Sequence, residues 1–258
     1  MNYYNEFDPF AAKWLNQLIS DKLIPYGDVD ERSIVDVHAR ELSDYTQCHF
    51  FAGIGGWSRA LELAQWDSSR PVWTGSPPCQ SFSVAGKGKG KDDSRHLWPV
   101  FFNLIRERNP PAVFGEQVAS AIKFGWLDDL QNDFEKEGYA SAACVLPSGA
   151  VGAYHKRDRL FFTARRVADT IDQRSQRRLH RRSDSQRQVI GGHVRRSCST
   201  LWSGSTLIHC RDGKHRPIPV ESALFPLLDG IPNRVGILRG AGNAIVPQAA
   251  AEIIKAVM

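Results

Sequence analysis

Apolar and polar positions alternate in blocks along the chain, and these blocks predict strands and helices in turn. Asp8 is a suitable N-cap and Pro9 favours the first helical position. Phe10, Trp14 and Leu18 then fall on one face of a first helix. Short apolar runs predict strands at 48–52, 71–74, 112–115, 139–146 and 159–163. Amphipathic segments predict further helices at 57–64, 97–108, 127–137 and 247–257. Strands that alternate with helices are typical of an α/β domain with a largely parallel sheet.

This pattern also divides the chain. The stretch 25–28 is polar and rich in turn formers, so we expect a turn there. From residue 165 to residue 219 there is little apolar periodicity and much Arg, Ser, Gly and His. We interpret 1–164 as one domain, 165–219 as an insertion or small second region, and 220–258 as a segment that returns to the first domain.

Composition excludes several classes of protein. The chain has 258 residues, of which 42% are hydrophobic and 24% charged, which is typical of a folded domain. Mean hydropathy is -0.35, and no run approaches the roughly 20 apolar residues of a membrane-spanning helix. The polar, acidic start MNYYNEFDPF predicts neither a secretory signal nor a transit peptide. Five scattered cysteines form no CxxC pair, so we expect a cytoplasmic protein without disulfides.

Positive charge is concentrated in the second region. Residues 165–187 contain eight arginines and three aspartates, a surplus of five that equals the net charge of the whole chain. On charge alone, a solvated basic loop is the simpler interpretation. Arginine has a planar, forked head group that suits phosphate and guanine edges, which favours a nucleic-acid surface.

Two segments at strand ends are candidates for chemistry. The glycine-rich turn after the first predicted strand lets backbone amides approach a ligand, although such turns also occur for structural reasons. No GK[ST] follows it, so a phosphate-binding P-loop is not expected. After the next strand, Pro77 and Pro78 stiffen the backbone before Cys79. Cys79 is either a buried apolar residue or a nucleophile presented at the sheet edge beside the Gly- and Lys-rich stretch 86–91.

Five segments resemble, in order, the motifs of the DNA (cytosine-5) methyltransferase family. They are Phe51-Ala52-Gly53-Ile54-Gly55-Gly56-Trp57, Gly75-Ser76-Pro77-Pro78-Cys79-Gln80-Ser81-Phe82-Ser83, Gly115-Glu116-Gln117-Val118, His155-Lys156-Arg157-Asp158-Arg159-Leu160 and Gly242-Asn243-Ala244-Ile245-Val246-Pro247. The resemblance implies a Rossmann-like, S-adenosylmethionine-dependent methyltransferase domain, with 165–219 as a small, irregular target recognition region.

The resemblance also implies roles for single residues. Cys79 would add to C6 of cytosine, because this addition makes C5 nucleophilic. Glu116 would donate to N3 and contact the exocyclic amine. Arg159 would donate to O2, and Arg157 would position the thiol, the nearby backbone or the base. S-adenosylmethionine, with S-adenosylhomocysteine as its product, would lie against Phe51, Ala52, Gly53, Ile54, Gly55, Gly56, Trp57, Asn243 and Ala244.

Double-stranded DNA is the partner that the resemblance implies, and the target base has to leave the stack to react. The residues expected near DNA are Ser81, Ser83, Lys87, Lys89, Arg177, Arg178, Arg181 and Arg182. We expect a monomer that does not bind a membrane. The small size is in keeping with a phage or prophage methyltransferase, with or without a restriction enzyme.

The chain departs from the family pattern in three respects. Gln117 stands where the family usually has Asn. The interval 57–72 is too short for the acidic strands that hold ribose and adenine, and the upstream stretch 27–32 resembles the missing Gly-Asp segment. We therefore expect a rearranged strand order that brings Asp28 or Asp30 to the cofactor. The recognition region is also short, and the spacing of its His and Cys residues (His193, Cys198, His209 and Cys210) matches no common zinc finger, so no metal is expected.

Two other functions stay open at this point. An RNA cytosine-5 methyltransferase would use the same chemistry on another nucleic acid. A catalytically inactive, DNA-binding relative would keep the fold alone, but the complete set of Cys79, Glu116, Arg157 and Arg159 argues against it.

Overall fold

A computed structural model describes residues 1–78, 97–153, 155, 157–167 and 240–258, together with the backbone of two strands at 205–209 and 215–219. One sheet contains the strands β1 Asn2–Asn5, β2 Gly27–Asp30, β3 Gln47–Phe50, β4 Val72–Gly75, β5 Ala112–Val118, β6 Tyr139–Pro147 and β7 Asp158–Arg166. The helices are α1 Pro9–Ser20, α2 Gly56–Leu63, α3 Trp98–Arg108, α4 Trp126–Lys136 and α5 Pro247–Val257. Strands β8 Ser205–His209 and β9 His215–Pro219 form a separate antiparallel pair. No helix in these described ranges is both long and apolar enough to cross a membrane.

The seven strands lie in the spatial order β2-β1-β3-β4-β5-β7-β6. Neighbours from β2 to β5 are parallel, whereas β7 runs antiparallel to both β5 and β6. Helices connect most of the parallel strands, as crossover connections require. The predicted α/β class is therefore confirmed.

The elements expected from periodicity are present, with ends that differ by a few residues at most. Asp8 caps α1 as predicted, since its Oδ1 accepts hydrogen bonds from the amides of Phe10 and Ala11 at 3.0 and 3.1 Å. The expected turn at 25–28 was wrong in part, because Gly27 and Asp28 begin β2. Strand β1 was not expected at all. Both strands precede the glycine turn in sequence and extend the sheet beyond β3, so the upstream stretch with Asp28 and Asp30 is part of the same sheet. That this arrangement brings Asp28 or Asp30 to the cofactor stays a prediction.

Apolar side chains cover both faces of the sheet. Consecutive residues of β5 point to opposite sides, and Val113 belongs to the core formed with α3 and α4. Phe114, on the other side, packs in the core formed with α2 and α5. Both side chains are fully buried, and burying a side chain of this size stabilises the fold by about 1.5–3 kcal/mol. Helix α1 covers the same sheet near β1, where Tyr4 and Leu15 are buried together.

A buried histidine lies in the middle of the sheet, on β3. His49 is 1% exposed, its Nδ1 lies 2.8 Å from the hydroxyl of Thr74, and its ring stacks on Tyr4 at a centroid distance of 4.9 Å. Burial disfavours the charged imidazolium and lowers the pKa of His49 to about 3. The folded protein therefore holds His49 neutral over most of the acidic range.

The free energy of unfolding should fall as the pH drops from 7 to 5. In the unfolded chain His49 takes up a proton near its ordinary pKa of about 6.5, whereas in the folded chain it stays neutral, so protonation favours unfolding. This one group should remove about 2 kcal/mol over that interval. Urea unfolding at the two pH values measures the change, with His49→Gln as the comparison. A variant that loses as much stability as the wild type between these pH values would contradict the assignment.

Candidate active site

The order of the strands reverses between β1 and β3, and this reversal opens a crevice. The connection through α1 leads from β1 outward to β2, while the connection through α2 leads from β3 in the opposite direction to β4. In open α/β sheets, ligands bind at such a reversal, beyond the carboxyl ends of the strands. The glycine turn follows β3 at this edge, and Glu6 follows β1.

The glycine turn has a backbone that few side chains allow. Phe51, Gly53 and Gly55 all have positive φ values, of 53°, 57° and 77°. A Cβ on Gly55 would lie 2.8 Å from Ile24, so both its φ and its surroundings require glycine. A Cβ on Gly53 would meet no atom within 4 Å, so the space beside this residue is open. For a bulky residue such as Phe51 the left-handed conformation costs about 1–2 kcal/mol, and strain of this kind is common at binding sites.

Glu6 is a site residue that sequence analysis missed. Its Oε2 accepts a hydrogen bond from the amide of Gly53 at 2.7 Å, and its Oε1 accepts from the amide of Asp8 at 2.8 Å. Phe7, the next residue, is 70% exposed at the same edge. A carboxylate directly after a strand would have been the signal, but β1 itself was not recognised in the sequence.

Asp28 and Asp30 lie further along this edge of the sheet, on β2. Asp28 is in the interior of the strand, and its carboxylate accepts a hydrogen bond of 2.7 Å from Tyr45. Asp30, at the end of the strand, accepts 2.7 Å hydrogen bonds from Tyr3 and Arg32. Burial works to raise the pKa of Asp30, but these hydrogen bonds outweigh it and hold the pKa below its usual range. Both carboxylates are thus engaged within the protein.

Glu116 and Arg159 form the charged centre of the candidate site. In the antiparallel pair of β5 and β7, Val118 lies opposite Arg159, so Arg159 is a diagonal neighbour of Glu116 on the same face. The Arg159 Nε lies 2.6 Å from the Glu116 Oε1. Glu116 is only 7% exposed, and burial raises the pKa of its carboxyl group, although Arg159 and Arg157 oppose the rise. Burial thus favours the protonated form of Glu116, in which the carboxyl group can donate a hydrogen bond.

The segment that leads to Cys79 is fixed to the same place. The Gln117 side chain is 2% exposed, and its Nε2 donates to the carbonyl oxygen of Pro77 at 3.4 Å. The preceding residue, Ser76, accepts a 3.0 Å hydrogen bond from the indole Nε1 of Trp57. The glycine turn, β5 and the start of the Cys79 segment therefore meet at one point. Gln117 makes this contact at the position where the family usually has Asn.

Arg157 holds the C-terminal segment against the glycine turn. Its guanidinium donates to the carbonyl oxygens of Gly242 and Ala244 at 2.7 and 2.8 Å. Asn243, between them, is exposed. Ile245 packs so closely on Gly56 that a Cβ there would lie 2.8 Å from the isoleucine side chain. The hydrogen bonds of Arg157 thus reach the backbone of the C-terminal segment, and its expected role near the thiol or the base stays a prediction.

Other expected site residues lie outside the described part of the chain. These are Cys79, Ser81, Ser83, Lys87, Lys89, Arg177, Arg178, Arg181 and Arg182. The same holds for His193, Cys198 and Cys210, and of His209 only the backbone is described. Among the residues that are described, no group of three or more His, Cys, Asp or Glu side chains is placed to hold a metal ion.

Solved structures with a similar course of the chain include methyltransferases from a protozoan and a bacterium. The Entamoeba histolytica methyltransferase EhMeth is 15% identical, with a TM-score of 0.42, and the match covers 64% of this chain and 52% of that one. An E. coli prophage protein described as a DNA modification methyltransferase is 18% identical, with a TM-score of 0.42, over 66% of this chain and 48% of that one.

Sequence relatives are bacterial Type II methyltransferases. M.NgoMIV of Neisseria gonorrhoeae is 36% identical over 93 residues, which are 35% of this chain and 30% of the relative. M.AplI of Arthrospira platensis is 32% identical, over 43% of this chain and 33% of the relative. M.HhaI of Haemophilus parahaemolyticus is 26% identical, over 50% of this chain and 51% of the relative. The chain thus spans about a third to a half of the length of these relatives.

The family model for the C-5 cytosine-specific DNA methylases matches residues 68–207, which is more than half of the chain. The matched range contains Cys79, Glu116, Arg157 and Arg159. This chain belongs to the C-5 cytosine-specific DNA methylase family.

Proposed function

We propose that this chain transfers a methyl group from S-adenosylmethionine to carbon 5 of cytosine in double-stranded DNA, on a base flipped out of the helix. The observation that carries the proposal is the buried carboxyl group of Glu116, in contact with Arg159 and adjacent to the segment that leads to Cys79. Membership of the family and the Type II methyltransferase names of the relatives support DNA as the substrate. A base inside the duplex cannot reach such a buried group, which is the reason for base flipping.

The side chains have distinct tasks in this reaction. The Cys79 thiolate forms a bond to C6, and the π electrons of the C5–C6 double bond shift toward C5 and onto the conjugated N3 and O2 atoms. Protonated Glu116 donates to N3, and Arg159 donates to O2, so both meet the negative charge that develops there. After C5 has received the methyl group, loss of its proton and departure of the Cys79 thiolate restore the aromatic ring and the free thiol.

Two features of the crevice between β1 and β3 support it as the site of the cofactor. The open space beside Gly53 leaves room for a ligand, and the Glu6 carboxylate beside it suits ribose hydroxyl groups. The exposed ring of Phe7 offers an apolar face for the adenine. When bound, S-adenosylmethionine supplies the electrophilic methyl group. Arg157 holds the segment around Ala244 beside the turn through its hydrogen bond to the carbonyl oxygen of Ala244.

Position within the sheet favours Glu6 over Asp28 as the carboxylate that holds the ribose. Glu6 lies at the strand reversal and contacts the glycine turn directly. Asp28 lies one strand further out, in the interior of β2, and its hydrogen bond comes from the Tyr45 side chain and not from the glycine turn. The residue that sequence similarity to a Gly-Asp segment suggested is therefore the weaker candidate.

Methyl transfer to DNA is the first test. With labelled S-adenosylmethionine, the chain should methylate duplex DNA and leave tRNA unlabelled. Duplex DNA with 5-fluorocytosine at the target should trap the chain covalently, because fluorine cannot leave C5 as a cation. The adduct should survive denaturing electrophoresis and be absent in Cys79→Ser, since a serine hydroxyl is far less acidic than a thiol.

The controls for this experiment are the cysteines that the structure places away from the site. Cys48 is buried in the core and Cys144 is exposed on β6, so Cys48→Ala and Cys144→Ser should both still form the adduct. Labelling of tRNA in place of DNA would support an RNA methyltransferase. Methylation of C5 without any adduct would contradict the role of Cys79.

Replacement of Glu116 should affect turnover much more than DNA binding. Glu116→Gln removes the acid proton that meets charge in the transition state, so kcat should fall about 100- to 1000-fold. The Kd for duplex DNA, measured by fluorescence anisotropy, should change less than about threefold. The matched control is Glu252→Gln, an exposed residue of α5 that pairs with Lys255 and should leave the rate unchanged. Equal losses in binding and rate would point to a structural role for Glu116.

Paired substitutions compare the two candidate carboxylates for the cofactor. Glu6→Gln should raise the Kd for S-adenosylmethionine about tenfold or more, because a charged hydrogen-bond acceptor is lost. Asp28→Asn should change it less than about twofold. Isothermal titration calorimetry measures both, and a melting curve of each variant checks that the fold is kept. The opposite ranking would return the role to Asp28.

A further inference from the structure

One buried indole group connects the helix after the glycine turn with the segment that leads to Cys79. Trp57 is the second residue of α2, which begins where the glycine turn ends. Its Nε1 donates a 3.0 Å hydrogen bond to the Oγ of Ser76. Ser76 directly follows β4 and lies three residues before Cys79. The chemistry proposed above gives this hydrogen bond no task.

The donor of this hydrogen bond has a fixed place in the core. Trp57 is 2% exposed, and its ring lies near the rings of Phe114 and Phe161, at centroid distances of 6.5 and 6.3 Å. An indole N–H can only donate, and a buried donor without a partner costs free energy, so this group requires an acceptor. The Ser76 hydroxyl is that acceptor, and the hydrogen bond joins it to the core formed with α2 and α5.

A different element holds the next residue. The Nε2 of Gln117 donates to the carbonyl oxygen of Pro77 at 3.4 Å. The Gln117 amide has a set orientation, because its Oε1 accepts from the backbone amide of Val118 at 3.0 Å and the nitrogen therefore faces Pro77. Ser76 and Pro77 are thus bonded to two separate elements, α2 and β5.

Two prolines transmit the position of Ser76 toward Cys79. The pyrrolidine ring fixes φ at Pro77 and Pro78, and a residue that precedes a proline is restricted as well. Ser76 and Pro77 both precede a proline. Few torsion angles between Ser76 and Cys79 are therefore free to change, so we expect a displacement of Ser76 to displace the thiol as well.

We infer that Trp57 is a positioning residue, whose indole N–H sets the place of Ser76 and, through it, that of the Cys79 thiol relative to the glycine turn. The inference rests on the proposed function, in which the thiol bonds to C6 and the methyl group goes to the adjacent C5. Thiol and cofactor belong to segments that follow different strands, β4 and β3, so their separation depends on contacts between these segments. An error of about 1 Å in such a separation can cost about 100-fold in rate.

A double-mutant cycle tests the hydrogen bond through the rate. Trp57→Phe keeps an aromatic ring in the core and removes the N–H, and Ser76→Ala removes the acceptor. Each should lower the single-turnover rate of methyl transfer about tenfold, with the Kd for duplex DNA and for S-adenosylmethionine changed less than about threefold. The double variant should also lose about tenfold, because both substitutions break the same contact. A loss of about 100-fold, the product of two independent effects, would overturn the inference.

Trp66→Phe is the matched control for the tryptophan. Trp66 belongs to the same core and is 6% exposed, and its indole N–H donates to the carbonyl oxygen of Arg70 at 3.0 Å. This variant should transfer methyl groups at the wild-type rate. Equal rates for Trp57→Phe and Trp66→Phe would overturn the inference, and this pair gives the answer if Ser76→Ala does not fold.

Nuclear magnetic resonance follows the contact itself and needs no activity. In ¹⁵N-tryptophan-labelled protein, with Trp57→Phe to assign the signal, Ser76→Ala should shift the indole N–H signal of Trp57 and speed its exchange with solvent. The Trp66 signal should stay in place. A Trp57 signal that does not respond to Ser76→Ala would overturn the inference. A wild type that transfers no methyl group contradicts the proposed function, whereas a Trp57 signal that responds still establishes the link between α2 and Ser76.

Discussion

The burial of one carboxyl group, that of Glu116, governs the arrangement of the charged residues around it. An isolated carboxylate in a protein interior costs several kcal/mol, so it must be paired or must hold a proton. The structure provides for both states. Arg159 contacts the carboxylate from β7, and burial nevertheless raises the pKa of Glu116. The two effects oppose each other, and their balance sets how readily the carboxyl group of Glu116 holds a proton.

The antiparallel strand β7 is what makes this balance geometrically possible. Its register with β5 puts Arg159 opposite Val118, diagonal to Glu116. Two residues earlier in the chain, Arg157 reaches past the end of the sheet to the backbone of Gly242 and Ala244. Within one short segment, Arg159 therefore contacts the buried carboxyl group and Arg157 contacts the C-terminal segment. The spacing of the Arg-x-Arg motif has this physical basis.

Most elements of the fold could be predicted from the sequence, and the exceptions have physical causes. Strand β1 is Asn-Tyr-Tyr-Asn, which lacks the alternation of apolar and polar residues that predicts a strand. Its asparagines can be buried because their side chains form hydrogen bonds within the fold. The Asn5 side chain donates to the carbonyl oxygens of Asp30 and Arg32. Strand β2 begins with a glycine that resembles a turn signal. At Gly27, however, a Cβ would lie 2.4 Å from the carbonyl oxygen of Asn2, so close strand packing requires the glycine.

The candidate site shows the same division between what sequence motifs reveal and what depends on neighbours in space. Glu116, Arg157 and Arg159 could be identified because each belongs to a motif with its own spacing. Glu6 could not, since its importance comes from Gly53, a partner 47 residues downstream. Only the order and register of the strands bring this pair together.

The register of the strands, more than their order along the chain, positions the residues that border the crevice between β1 and β3. Asn5, the last residue of β1, lies opposite Phe50, the last residue of β3. The residues that follow the two strands therefore lie beside each other. The amide of Ala52 bonds to the carbonyl oxygen of Asn5 at 2.9 Å, and the next contact in this series joins Gly53 to Glu6. A carboxylate after β1 therefore reaches the glycine turn whether β1 precedes or follows that turn in sequence. With β1 and β2 supplied from upstream, α2 can lead almost directly into β4, which accounts for the short interval between Trp57 and Val72.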